Sequence, residues 1–191
     1  MDRRELLKMI VAATGAAMVG LPALVQGQAP AGATKIHFSD TDVATLDEIA
    51  ETILPRTRTP GAKDAGAGLF MATFVSDCYT ARQQATFRAG LTDIDKRAGG
   101  RFVSLAPDAR TELLRTLDAE AKARHADVTE TGTPEEGEAM PHYFTMLKQL
   151  AIFGFFTSKV GATGVLQYVA VPGRYDGDLA YVPGTPAWGT S

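Results

Sequence analysis

Pro141-His142-Tyr143-Phe144-Thr145-Met146-Leu147-Lys148-Gln149-Leu150-Ala151-Ile152-Phe153-Gly154-Phe155-Phe156 decides the fold class. The proline suits a first helical turn, because its φ is already helical, and the pattern carries the helix to about Lys159. Phe144, Leu147, Leu150, Ala151, Phe153, Phe155 and Phe156 point nearly all round it. Such a stretch is predicted to be a central helix buried on several sides. Gly154 costs about 1 kcal/mol against Ala inside a helix, and its presence points to close approach by another backbone. The Phe153–Phe156 run reads as core rather than as a cofactor box.

Upstream, the punctuation marks four more helices. Ser39 is an N-cap with Asp42 at the third helical position. Leu46, Ile49, Ala50 and Ile53 then repeat at helical spacing, and Pro55 ends the run. Pro55 to Gly66 holds two Pro and two Gly and reads as a structured loop, with a turn at Pro60-Gly61. A second helix is predicted from Ala67 to about Cys78. Phe70, Phe74 and Cys78 are spaced by four, so Cys78 is expected as a small buried hydrophobe against Phe74. Thr80, with Gln83 as the capping-box partner, opens a third helix lined by Phe87, Leu91 and Ile94, and Gly99-Gly100 stop it. Pro107 opens a fourth, with Leu113, Leu114 and Leu117 on its apolar face, fading by Asp127. Residues 128–140 read as an exposed loop. After Gly164 the chain is predicted to be extended, with turns at Pro172-Gly173, Asp176-Gly177 and Pro183-Gly184. No strand alternation is long enough for a sheet. The expected architecture is all-α: one compact domain of about five helices over 39–165, after a linker at 30–38 and before an extended, partner-binding tail at 166–191.

Residues 1–29 read as an export signal. Met1-Asp2-Arg3-Arg4-Glu5-Leu6-Leu7-Lys8 precedes a soft apolar run from Met9 to Val25, and a small polar stretch closes it. Arg3, Arg4, Leu6, Leu7 and Lys8 look like a twin-arginine motif, which a receptor reads. The competing reading is a membrane anchor. The apolar run sits at the lower edge of what can span a bilayer and is interrupted by Gly15, Gly20 and Pro22. The twin-arginine route carries folded proteins, often with a cofactor already inserted, yet this chain offers no cofactor motif. That mismatch points toward a partner.

The chain has 191 residues and a formal net charge of -3. A slightly acidic chain has no broad phosphate-binding field, so nucleic acid is an unpromising partner. One Cys excludes an internal disulfide, a c-type haem attachment and a cysteine-ligated iron–sulfur cluster built from this chain alone. An intermolecular disulfide through Cys78 stays open in an oxidising compartment. No dinucleotide fingerprint, phosphate loop, H-E-x-x-H or G-x-S-x-G is present. Lys63-Asp64 reads as a solvated pair or a cap on the second helix. His142-Tyr143 reads as a surface or capping pair, or as a group reaching the active site of another chain. Tyr and Trp in the Pro/Gly-rich tail suit a partner's groove.

Two blocks carry a resemblance. Ile53-Leu54-Pro55 followed by Thr59-Pro60-Gly61-Ala62-Lys63-Asp64-Ala65-Gly66 resembles the signature of the gluconate 2-dehydrogenase subunit 3 family. Phe155-Phe156-Thr157-Ser158, Gly161, Tyr168 and Val171-Pro172-Gly173-Arg174-Tyr175-Asp176-Gly177 resemble its second block, with Phe155 where the family has Tyr. The resemblance covers about 40–178, plus the export signal. It implies a small helical partner of a large FAD-dependent dehydrogenase of the glucose–methanol–choline (GMC) type. The large chain oxidises a sugar, sugar acid or glycoside and passes electrons to a cytochrome c or quinone. The whole sequence resembles small subunits of glycoside 3-dehydrogenases more than gluconate-specific ones.

The reading is therefore a non-catalytic subunit of an oxidoreductase complex. It holds no cofactor itself, with FAD expected in the partner. It stabilises the flavoprotein as a chaperone and carries it to the periplasm, where a retained signal or the complex itself can hold it at the membrane. Thr59, Pro60, Lys63, Asp64, His142, Tyr143, Phe144, Phe155, Phe156, Pro172, Arg174, Tyr175, Tyr181 and Trp188 are the predicted partner interface. Two other functions stay open. One is a stand-alone periplasmic hydrolase or isomerase using Asp64, His142 and Lys63. The other is a free-standing scaffold or binding protein.

Overall fold

Ser39 and Asp42 start the fold with a reciprocal cap. The Ser39 hydroxyl accepts from the Asp42 N–H at 3.2 Å, and the Asp42 carboxylate accepts from the Ser39 N–H at 2.9 Å. The computed structural model describes residues 36–130, 140–169, 171, 173, 177–178, 180 and 182–189. They fall within one unit, Ile36–Ser191. The export signal with Arg3, Arg4, Leu6, Leu7 and Lys8, most of the linker, and 131–139 of the predicted loop lie outside the described residues.

Among the described residues six α-helices follow in order: α1 (Asp40–Ile53), α2 (Ala67–Cys78), α3 (Ala81–Arg97), α4 (Pro107–Glu130), α5 (Tyr143–Phe156) and α6 (Lys159–Gly164). Short 3-10 turns sit at Lys63–Ala65 and Phe102–Ser104. Among the described residues there is no strand, only an isolated bridge between Gln167 and Trp188. None of the described helices is long and apolar enough to cross a membrane.

The expected central helix is α5, which touches all five other α-helices. It buries Phe144, Met146, Leu147, Leu150, Ala151 and Phe155. Around it Leu46 and Ile49 of α1, Met71 and Val75 of α2, Phe87 and Ile94 of α3, and Leu117 of α4 are fully buried. Burying each such side chain contributes about 1.5–3 kcal/mol, so this shared core, more than any one helix, holds the fold. Thr45 and Gln84 are the buried polar residues among those described, and Gln84 makes the longer-range bonds. Its side-chain amide donates to the Val75, Ser76 and Tyr79 carbonyls at 3.1–3.2 Å. It thereby satisfies orphan carbonyls at the end of α2.

Four expectations change. The fifth helix does not run on to Lys159: it stops at Phe156, and Ser158 caps a separate α6 by accepting from the Gly161 N–H at 3.0 Å. The fourth helix extends past Asp127 to Glu130. Gly154 admits a ring rather than a backbone, since a Cβ there would lie 2.5 Å from the Phe70 ring. Cys78 is exposed. At 100° per residue, a residue eight places after Phe70 is rotated about 80° away from it. Tyr79 takes the expected place, packing edge-on to Phe74 with ring centroids 5.8 Å apart.

Two neighbouring glycines differ in what they contribute. Gly66 has φ +65° with open space around it, whereas a Cβ on Gly68 would lie 2.7 Å from the backbone nitrogen of Asp47. Gly66→Ala is therefore expected to cost about 1–2 kcal/mol of left-handed strain. Gly68→Ala is expected to force α1 and α2 apart at a cost of up to about 3 kcal/mol. Urea unfolding of both variants checks this; a neutral Gly68→Ala would contradict the close crossing.

Candidate docking surface

The signature loop is tied down by carboxylates on α1, which point from one side of the helix at the chain that follows it. Glu51 accepts from the Arg56 and Lys63 backbone N–H groups, each at 2.9 Å. Glu48 pairs with the Lys63 ammonium and the Arg110 guanidinium. Asp47 accepts from the Gly68 N–H at 2.8 Å, in the first turn of α2. Within the loop, Asp64 accepts from the Gly61 N–H at 2.9 Å and pairs with Arg56. The Arg56 guanidinium, then the Gly61 N–H, hold the Asp64 carboxyl below its ordinary range.

Lys63 and Asp64 are thus not a pair: each has a different partner, and the cap on α2 comes from Asp47. Thr59 is exposed and Pro60 half-buried. Asp47, Glu48 and Glu51 are the residues that sequence reasoning missed. Their only local signal is acidic spacing beside the apolar stripe of α1, just ahead of a loop rich in unpaired N–H groups. Glu51→Ala removes the acceptor for two N–H groups and is expected to cost about 2 kcal/mol. Hydrogen exchange at the Arg56 and Lys63 amides should speed up before that at the α1 core amides, whereas unchanged loop protection would refute this role.

His142 lies in a second cluster at the other end of α5. Its Nδ1 accepts from the Phe144 N–H at 3.2 Å, so it is the helix N-cap, and its ring stacks on Tyr143 with centroids 4.4 Å apart. The Tyr143 hydroxyl donates to Asp93 at 2.5 Å; Asp93 also pairs with Arg97 at 2.7 Å, and Arg97 reaches Glu120 at 2.6 Å. Burial, then the bond to Asp93, push the Tyr143 hydroxyl up; the bond from Tyr143 pulls the Asp93 carboxyl down. Burial, then the charge of Arg124, lower the His142 imidazole. No hydrogen bond or ion pair joins His142 to Lys63 or Asp64 among the described residues, so the three residues of the stand-alone enzyme reading fall in two clusters.

The depressed imidazole has a stability consequence. Near the ordinary pKa of about 6.5 the unfolded chain takes up a proton that folded His142 resists. Its contribution is therefore present above that pKa and is lost as pH falls. The melting temperature of the purified chain should drop between pH 7 and pH 5. His142→Asn replaces the capping nitrogen with a capping oxygen and should flatten that drop; equal slopes would remove His142 as the cause.

The remaining predicted interface residues divide by burial. Phe144 and Phe155 are 2% and 3% exposed, so their rings belong to the core and are not offered at the surface. Phe156 is half-buried and Trp188 is 57% exposed. Pro172, Arg174, Tyr175 and Tyr181 lie outside the described residues. The apolar groups that do reach solvent include Ile152 and Phe153, on a face of α5 that the described helices cover only in part. They are 38% and 48% exposed, with Leu69 of α2 at 63%. Phe153 still packs edge-on against Phe70 and Phe74, at 5.7 and 5.9 Å between centroids. Beside it runs a groove of about 580 Å3, lined by Gln149, Ile152, Phe153, Phe156, Thr157, Ala162, Leu166, Tyr168 and Gly189.

The tail contributes Leu166, Tyr168 and Gly189 to this groove. The Gln167 N–H donates to the Ala187 carbonyl at 2.8 Å, and the Gly189 N–H donates to the Gln167 carbonyl at 2.8 Å. The tail carries no helix among its described residues after Leu166, and these two bonds bring Ala187 and Gly189 back to its root at Gln167. Among the described residues no group of three or more His, Cys, Asp or Glu side chains could hold a metal ion.

The family model described as gluconate 2-dehydrogenase subunit 3 matches residues 40–173. The chain belongs to the gluconate 2-dehydrogenase subunit 3 family. The match runs from the start of α1 to Gly173, so it takes in the α1-bound loop and most of the groove. No curated protein and no solved structure matches the chain. As a subunit 3 family member, the protein is a subunit of a gluconate 2-dehydrogenase-like complex.

Proposed function

We propose that this protein is the non-catalytic small subunit of an FAD-dependent, GMC-type dehydrogenase acting on a sugar, sugar acid or glycoside, with glycoside 3-dehydrogenases as the favoured class. The flavin sits in the large chain, which passes electrons to a cytochrome c or quinone. The small subunit stabilises that chain and carries it through the twin-arginine route to the periplasm. The observation that carries this reading is membership of the subunit 3 family over residues 40–173. Two features support it. Arg3, Arg4, Leu6, Leu7 and Lys8 have the pattern of an export address for folded cargo. Large apolar side chains stand open to solvent on α5, α2 and the tail, as expected of a surface that a subunit covers.

The test is export of the pair. When the chain is co-expressed with its flavoprotein, Arg3→Lys with Arg4→Lys should leave the flavoprotein and its dehydrogenase activity in the cytoplasm. An active flavoprotein in the periplasm despite both changes would overturn the carrier role.

A further inference from the structure

Charge and shape together narrow the docking surface. No Asp or Glu occurs between Glu138 and Asp176, although the chain as a whole carries 22 acidic residues. That interval contains α5, α6 and the root of the tail, and so nearly all of the groove. Its cations are Lys148, Lys159 and Arg174. Lys148 is engaged with Asp118 at 2.7 Å. Lys159 is exposed and makes no ion pair among the described residues. It stands in sequence between Thr157 and Ala162, which line the groove. The hollow is therefore lined mainly by apolar groups, its segment brings the exposed cation Lys159 and no carboxylate, and Asp64 in the turn that packs on α6 is already paired with Arg56.

We propose that this groove receives one bulky apolar side chain of the large flavoprotein subunit, flanked there by carboxylates that pair with Lys159. The inference rests on the function proposed above and locates the contact. A protein partner is favoured over an anionic membrane by shape. The groove is concave, and a hollow of about 580 Å3 accepts an inserted side chain, whereas a bilayer is engaged by protruding apolar groups. Membership of a complex-forming family supplies such a partner. The polar cluster around Asp93 and Tyr143 offers nothing equivalent, because its charges already answer one another.

The test uses the full chain, tagged and expressed in its native host, with the co-purifying flavoprotein read by flavin absorbance and mass spectrometry. Tyr168→Glu puts a negative charge on a groove-lining ring that is 47% exposed, and Lys159→Glu reverses the charge of the exposed cation. Each should lower flavoprotein recovery at least tenfold while the melting temperature of the purified chain is held. Arg115→Glu, on exposed α4 surface, should leave recovery unchanged. If the unsubstituted chain recovers flavoprotein and both groove variants recover as much, the groove assignment is wrong and the proposed function stands. If the unsubstituted chain recovers none, the function itself fails and takes the groove with it. Tyr168-dependent binding of the purified chain to phosphatidylglycerol vesicles, with flavoprotein recovery unaffected, would assign the groove to a membrane and overturn the proposal.

Discussion

Three carboxylates on one helix hold the loop that follows it, and the remaining packing depends on that restraint. Asp47, Glu48 and Glu51 accept the N–H groups of Gly68, Arg56 and Lys63 and the charges of Lys63 and Arg110. Bonds to ionised acceptors contribute about 1.5–3 kcal/mol each when well formed, and here they act on backbone that has no helix of its own to satisfy it. The result is a fixed start for α2. With Gly68 seated on Asp47, Met71 and Val75 face the core and Phe70 lies against Gly154. Releasing the loop would therefore disturb the central helix, whose core Ala62 of the loop also joins.

Charge is unevenly shared between the loop and the helices it borders, although its 3-10 turn packs on α6. The loop side of the molecule is crossed by ion pairs. The partly covered face of α5, with α6 and the tail root, carries rings and aliphatic chains and no carboxylate of its own. A monomer gains nothing from leaving Ile152, Phe153 and Leu69 in water. For a subunit the arrangement is expected, since interface cores are depleted of charge and enriched in aromatic groups.

Much of the fold was legible because its signals are local. Ser39 with Asp42 and Thr80 with Gln83 form the capping boxes their spacing predicts. Pro107 begins a helix, and the apolar stripes of α1 and α3 are buried where their periodicity puts them. The errors come from tertiary decisions. Cys78 followed a four-residue spacing that drifts round a helix, and Tyr79 filled the place assigned to it. Phe153 and Phe155 look alike in sequence, yet one is half exposed and the other closed, because neighbours cover only part of α5. No Gly or Pro marks the break between Phe156 and Lys159. At the candidate surface, the motif residues Lys63 and Asp64 were visible, but the α1 carboxylates that restrain their loop were not. Those bonds link residues up to 21 positions apart, beyond any local pattern.

The junction at Gln167 ties the root of the tail to Ala187 and Gly189 through main chain alone. Two main-chain bonds fix these ends, whatever side chains lie between them. Lengthening a closed loop costs only about 0.6 kcal/mol per doubling of its length. A stretch pinned in this way can take insertions, deletions and changed side chains at little cost to the pairing of its ends. Differences in partner preference among relatives can accumulate there while the helical frame stays the same.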